Sequence, residues 1–399
     1  MFEKRAPLAR SRDVLSNSLS GLRVLDFTQV AAGPLCTQTL VDLGAQVTKV
    51  EQPDGDLARQ FSPYVEGQSV TFLALNSGKL SISRNLKDKE QRDTILELAA
   101  QADILVESFR PGVMERLGLG YDDIRKLNPG IIYCSVSAYG QLSPWRDKPG
   151  VDGVLQAVTG LMSVTGLPDA PPCKVQVPIV DVMTGYIATT AVLAALVKRD
   201  KDGTGEWLDI SMFSSAMAMQ QMAFATYFAD GEVPQRLGSA APYAAPNEAL
   251  RCSDGWLMVA AYHPARWTAL CQIIQRPELL QDERFYDPLQ RIANRSELVG
   301  SLEETMVLRT RAEWQKLFEQ ADIICAPIAD YAEVVASPAF TDNFLDVVEQ
   351  PDAGALTFLR SPLKSVGEVP PDRTGAPRIG QHTDLILQGA NAAAGTSSR

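Results

Sequence analysis

The run Leu22-Arg23-Val24-Leu25-Asp26-Phe27 is followed by Thr28-Gln29-Val30-Ala31-Ala32-Gly33-Pro34 and then by Val47-Thr48-Lys49-Val50-Glu51. The reading of this stretch decides the fold class. The outer pieces are short, apolar and β-branched, as strands are. The segment between them starts at Gly33-Pro34, where proline suits the first turn of a helix, and ends near Gly44. Strand, helix and strand in that order make a βαβ unit, whose two strands run parallel.

Working outward, the alternation continues. A helix from about Asp88 to Ala102 leads into the apolar strand Ile104–Val106. A helical segment that stops at Asn128-Pro129-Gly130 precedes Ile131–Val136. Asp181–Lys198 reads as a helix with an apolar body (Ile187, Val192, Leu193, Leu196, Val197). The turn Asp202-Gly203-Thr204-Gly205 then leads to a strand, Trp207–Ser211. Such repetition predicts an α/β protein with an open parallel sheet covered on both faces. Ligands of such sheets sit beyond the carboxyl ends of the strands. Here those ends are Thr28–Pro34, Glu51–Asp56, Glu107–Gly112 and Ser137–Gln141. The Ala-, Pro- and Gly-rich stretch Gly238–Pro246 marks a crossing into a smaller α/β region that runs to about Pro327.

Composition narrows the function classes. The 399 residues are 45% hydrophobic and 21% charged, enough to bury a sizeable core. The formal charge of −11 repels a polyanion, and no Lys/Arg cluster offsets it, so nucleic acid is not an expected partner. No uninterrupted apolar run approaches the roughly 18 residues that would span a bilayer. The first twenty residues lack the apolar core of a secretory signal; they read as a mobile leader. Six cysteines lie far apart with no CxxC pair, which fits reduced thiols and a cytoplasmic location.

The catalytic repertoire is short. The two histidines, His263 and His382, stand beside loop-type residues and read as surface or structural. Neither the GxGxxG nor the P-loop spacing occurs, and Glu51 alone is a weak sign of a ribose-binding acid. The turn Ala31-Ala32-Gly33-Pro34 is either a tight strand-to-helix connection or a place where a ligand approaches the backbone. Lys87, Arg110 and Arg116, close to strand ends, are either solvated charge or donors to phosphate. Asp181 directly precedes the apolar helix body. It can cap the helix, and the dipole and amides there would keep it ionised, as an attacking carboxylate must be.

Read in order, these motifs resemble the class III CoA-transferases, the carnitine, bile-acid and formyl-CoA transferase group. The likeness runs from Gly21 to about Thr383. It includes Gly21–Thr28 with Ala32-Gly33-Pro34, Asp42–Glu51, Ala102–Glu107 with Phe109-Arg110-Pro111-Gly112, Asp152, Asp181–Gly185 and Ala376–Gly380. The resemblance implies an intertwined homodimer with a Rossmann-like large domain and a smaller α/β domain. It divides the chain into a leader (1–20), a large CoA-binding domain (21–235), a small domain (236–330), a return to the large domain (331–389) and a disordered tail (390–399). Coenzyme A would be substrate and carrier, with no tightly bound cofactor or metal. The partners would be an acyl-CoA and a carboxylic acid, with no membrane. The family's CoA contacts fall on Ala31, Ala32, Asn85, Leu86, Lys87, Phe109, Arg110, Arg116 and Tyr139, and its nucleophile on Asp181. Succinyl-CoA or another small acyl-CoA is the implied donor. The glycine-run lid of the oxalate enzyme has no counterpart between Gly238 and Asp254, which speaks against formyl-CoA and oxalate. The α-methylacyl-CoA racemases resemble the same scaffold, but their Gly-His-Asp is Gly150-Val151-Asp152 here, and valine exchanges no proton. A non-catalytic acyl-CoA-binding homologue is the other alternative.

Overall fold

The computed structural model describes residues 14–340 and 344–388. Of the expected leader, residues 14–20 are described and include the turn Leu15–Asn17, with Leu19 buried and its amide bonded to the Leu43 carbonyl. The rest of the leader and the expected tail lie outside the described residues. Two compact units are present. The first comprises residues up to Leu161, Val175–Phe228 and those after 343; the second comprises Met162–Lys174 and Ala229–Phe340.

The first unit is built on six strands: β1 (Arg23–Phe27), β2 (Gln46–Glu51), β3 (Leu80–Ser83), β4 (Ile104–Glu107), β5 (Ile132–Ser137) and β6 (Glu206–Ser211). They lie in the order β3-β2-β1-β4-β5-β6, and every pairing is parallel. The order reverses between β1 and β4, so the connections leaving these two strands diverge and open a crevice at their carboxyl ends.

Alternation along the strands sorts the core into two faces. Val24, Val47, Ile104, Val106, Ile132 and Cys134 pack with residues of helices Ala32–Asp42 and Ile179–Asp202. Leu25, Phe27, Val50, Ile82 and Tyr133 pack with Ile95 and Ile124, from helices Lys89–Ala99 and Tyr121–Leu127, on the other face. Each buried aliphatic side chain contributes about 1.5–3 kcal/mol. Asp88 opens Lys89–Ala99 by accepting from the Gln91 amide at 3.0 Å. Gly203, at φ +72°, ends Ile179–Asp202 in the left-handed conformation that glycine supplies. That helix is long and apolar enough to cross a membrane by length and composition. Here its Val180, Ala188, Val192 and Leu196 are buried in the unit's core.

Strand β3, an edge strand, does not present a bare edge. The Ser81 amide donates to His382 Nδ1 at 3.1 Å, and the His382 amide donates to the Ser81 carbonyl at 2.9 Å. The Ser83 amide donates to Thr383 Oγ1 at 3.2 Å. Residues some three hundred positions later in the chain thus cover it.

The second unit has a three-stranded antiparallel sheet in the order Ile324–Pro327, Gly255–Ala260, Asn247–Cys252. Leu250, Leu257 and Val259 from the sheet share a core with Trp267, Leu270, Leu298, Leu302, Trp314 and Phe318 from its helices. Arg291 is buried there, its guanidinium donating to the Ala245 and Phe285 carbonyls at 3.0 Å each.

Candidate active site

The connection from β1 to helix Ala32–Asp42 sits over a buried charged network. Asp26 accepts from the Thr28 amide (2.8 Å), Thr28 Oγ1 (2.5 Å), Thr37 Oγ1 (2.7 Å) and Lys79 Nζ (3.0 Å). Lys49 pairs with Asp56 at 2.9 Å, and Arg59 makes a two-pronged bond to Glu51 at 2.8 Å per contact. Burial opposes ionisation of Asp26, but Lys79 and Lys49, aided by the two threonine hydroxyls, hold its carboxyl well below the usual range. Glu51 is fully engaged, by Arg59, by Ser81 Oγ (2.7 Å) and by the Asp56 amide (3.1 Å), and is not a ribose-binding acid. Gly33 is required at the turn. A Cβ there would meet the Thr28 side chain at 2.4 Å.

Asp181 lies in the first turn of helix Ile179–Asp202, half-buried. The helix cap comes from elsewhere. Asp152 Oδ1 accepts from the Val180 amide at 2.8 Å and the Asp181 amide at 3.3 Å, and its other oxygen accepts from Gln156 Nε2 at 2.6 Å. No donor among the described residues reaches the Asp181 carboxyl. Burial, then the charge of Asp152, pushes its pKa up to about 7. This corrects the expectation that amides at the helix start hold Asp181 firmly ionised; Asp152 has taken them. Gly185, one turn on and on the same helical face, allows close approach to the β1 turn. A Cβ at Gly185 would lie 2.9 Å from both the Ala32 carbonyl oxygen and Leu35 Cβ. Helix Ala32–Asp42 thus packs against the helix that carries Asp181; it has no side-chain cap, and with Pro34 lacking an N–H and the Leu35 amide bonded to the Ala31 carbonyl, its Ala32 and Gly33 amides are the ones left available.

Beyond the ends of β2, β3 and β4 lies an open cleft of about 630 Å³. Its walls include Asn85, Leu86, Lys87, Phe109 and Arg116, five residues to which the sequence pointed, together with Gln52, Pro53 and Asp54. Glu107 aims Phe109 by accepting its amide at 2.9 Å. Lys87 and Arg116 are exposed, as donors to a phosphate group must be. Ala31, Ala32, Arg110 and Tyr139 do not line the cleft. Arg110 is exposed on the loop that follows β4. Tyr139 is buried with Leu155 and Val180, its ring 5.5 Å from that of Trp145 and 6.1 Å from that of Phe213.

Sequence reading missed the Asp26–Lys79 and Lys49–Asp56 pairs and the capping role of Asp152. A signal existed for the pairs, since an Asp or Lys inside an apolar parallel strand must be compensated. Both histidines have structural roles: His382 at the β3 edge, and His263 Nδ1 accepting from the Ala265 amide at 3.3 Å to start helix Pro264–Ile273. No group of three or more metal-ligating side chains occurs among the described residues.

Known proteins resemble this chain in sequence and fold. The sequence profile of CoA-transferase family III matches residues 19–383. The chain is 35% identical to a probable fatty acyl-CoA transferase of Mycobacterium tuberculosis, over 92% of this chain and 97% of that protein. It is 36% identical to an acetyl-CoA:oxalate CoA-transferase of Acetobacter aceti (90% and 92% covered) and 36% identical to a succinyl-CoA:glutarate CoA-transferase of Mus musculus (93% and 86%). A crystal structure of a CaiB/BaiF family protein from Brucella suis superposes with a TM-score of 0.84 at 32% identity, covering 94% of this chain and all of that one. With its six-stranded parallel sheet and a profile match along nearly its whole length, the chain belongs to CoA-transferase family III.

Proposed function

We propose that this CoA-transferase moves CoA from an acyl-CoA to a carboxylic acid through covalent intermediates on Asp181. One observation carries the reading: a carboxyl without hydrogen-bond donors, its pKa raised to about 7, on a helix whose next turn, at Gly185, packs against Ala32. A carboxylate with no bonds to break first is free to attack, and near neutral pH a large share of it is ionised.

In the proposed sequence an Asp181 oxygen attacks the thioester carbonyl, the C–S bond breaks, and CoA leaves as thiolate. The product is a mixed anhydride. The thiolate attacks the aspartyl carbonyl carbon, the bond from that carbon to the bridging oxygen breaks, and the donor acid leaves as carboxylate with that oxygen. The acceptor carboxylate then attacks the aspartyl-CoA thioester, expelling thiolate and forming a second anhydride. Attack of the thiolate on the acceptor acyl carbon releases acyl-CoA and restores Asp181. No water or net proton is consumed. Backbone amides at the start of helix Ala32–Asp42 would stabilise the oxyanions. Lys87 and Arg116 would hold the CoA phosphates, with Asn85, Leu86 and Phe109 along the cleft.

Relatives named for succinyl-CoA support a small acyl donor such as succinyl-CoA. The strand order supports a Rossmann-like reading of the sheet. A homodimer is supported by helix Gln221–Asp230, of which no residue is buried and whose Met222 and Phe228 are about three-quarters exposed.

The test is Asp181→Ala with mass analysis of the unaltered enzyme during turnover. Transfer should fall by at least about 10⁴-fold while CoA still binds, and an acyl or CoA adduct should map to Asp181. Full transfer by the variant, or turnover without an adduct, rejects the mechanism. Deuterium wash-in at the substrate α-carbon without an acceptor acid would indicate a racemase instead.

A further inference from the structure

The turn that leaves β1 is held by more than packing. Val30 takes φ +68°, a left-handed backbone that a β-branched residue adopts only when its surroundings impose it. Three separate elements do so. Asp56 Oδ1 accepts from the Val30 amide at 3.1 Å, Ser108 Oγ accepts from the Gln29 amide at 3.0 Å, and Lys49 Nζ donates to the Thr28 carbonyl at 2.7 Å. Lys49 and Asp56 are themselves paired, their side chains only 1% and 0% exposed. A buried ion pair is a poor stabilising device, because apolar residues of similar size commonly serve as well or better. Stability alone therefore does not account for this pair. Its geometry does, since the pair supplies two of the three anchors.

Asp56 reaches further than the turn. The same Oδ1 accepts from the Ala58 amide at 2.9 Å, capping the short helix Leu57–Gln60, and the Asp56 amide donates to Glu51 at 3.1 Å. Asp56 is therefore fixed in the segment after β2 whose Gln52, Pro53 and Asp54 line the cleft. One buried carboxylate joins the wall of that cleft to the backbone of the β1 turn.

We infer that Lys49 and Asp56 are positioning residues of the acyl-CoA site, fixing the strained Thr28–Ala31 turn so that the Ala31 and Ala32 backbone holds one geometry relative to the cleft. The inference rests on the proposed reading that Ala31 and Ala32 border bound CoA. Neither residue touches substrate; each acts through the turn.

Two double variants of the full chain separate positioning from charge. Lys49→Met with Asp56→Asn removes both charges but leaves an oxygen to accept from the Val30 amide. Lys49→Met with Asp56→Ala removes that acceptor as well. By calorimetric titration with CoA, the Asn variant, which has lost only the Lys49 anchor, should bind about threefold more weakly than the unaltered chain, and the Ala variant, which has lost both, about tenfold or more weakly than the Asn variant; an Asn variant as tight as the unaltered chain removes Lys49 from the inference. Equal affinity in the two folded variants overturns the inference. Failure of the unaltered chain to bind CoA overturns the reading of the site, and the inference with it; the parent titration tells the two failures apart. Should the Ala variant not fold, Ser108→Ala removes the third, less buried anchor. It should weaken CoA binding about threefold at an unchanged unfolding temperature, and unchanged affinity would again overturn the inference.

Discussion

Two neighbouring regions of the first unit bury carboxylates and treat them in opposite ways. Beneath the β1 turn, Asp26, Glu51 and Asp56 meet Lys79, Arg59 and Lys49, and nearly every oxygen has a partner. At the start of helix Ile179–Asp202, Asp152 takes the available amides and Asp181 is left without a donor. The first region is neutral and over-determined, and its carboxylates are inert. The second carries an unshared charge that burial disfavours. In the first the buried charge holds the backbone in place; in the second it is available for chemistry.

That comparison predicts opposite signs for removing charge. Lys79→Met leaves the buried Asp26 without its paired cation and should cost about 3–5 kcal/mol in denaturant unfolding. Asp181→Asn should instead stabilise. The folded-state pKa of Asp181 is raised above its unfolded value, so the ionised carboxyl weakens the fold at pH values above about 7, and the penalty fades as pH falls toward 4. The gain should be on the order of 2–4 kcal/mol at pH 8 and vanish near pH 4. A loss of stability at pH 8 would place both carboxylates in the same class.

Smaller effects sharpen the contrast. Gly185→Ala drives a methyl group into Ala32 and Leu35 and should cost about 1–3 kcal/mol, with transfer falling more than CoA affinity, because it shifts the helix that carries Asp181. If kcat is unchanged, the contact is packing alone. The pH profile is the finest probe. The nucleophile is the ionised form, so kcat/KM should decline as pH drops through about 7. Asp152→Asn keeps an oxygen to cap the helix but removes the neighbouring charge, and should move that decline to lower pH. A profile that does not move assigns the raised pKa to burial alone.

Much of this was legible in the sequence. Five of the six strands stand out as β-branched apolar runs, and the apolar helix after Asp181 is plain. Strand β3, Leu80-Ser81-Ile82-Ser83, was not expected, because two of its four residues are polar for reasons that lie far off in the chain. The Ser81 hydroxyl serves Glu51 while its backbone meets His382. Asn85, Leu86, Lys87, Phe109 and Arg116 converge on one cleft, whereas Tyr139 fills core and Arg110 stands outside. The state of Asp181 could not be read locally. The residue that takes its amides lies 29 positions earlier in the chain.

The covering of β3 has a consequence for biosynthesis. All six strands have been synthesised by Ser211, yet the groups that cover the outer side of β3 are not made until His382 and Thr383. Until then Ser81 and Ser83 offer unpaired amides that a strand from another nascent chain could occupy. Fragments ending before Ala376 should therefore be prone to self-association even with the whole sheet present, and attachments at the carboxyl terminus will be tolerated only if this late closing segment can still reach its seat.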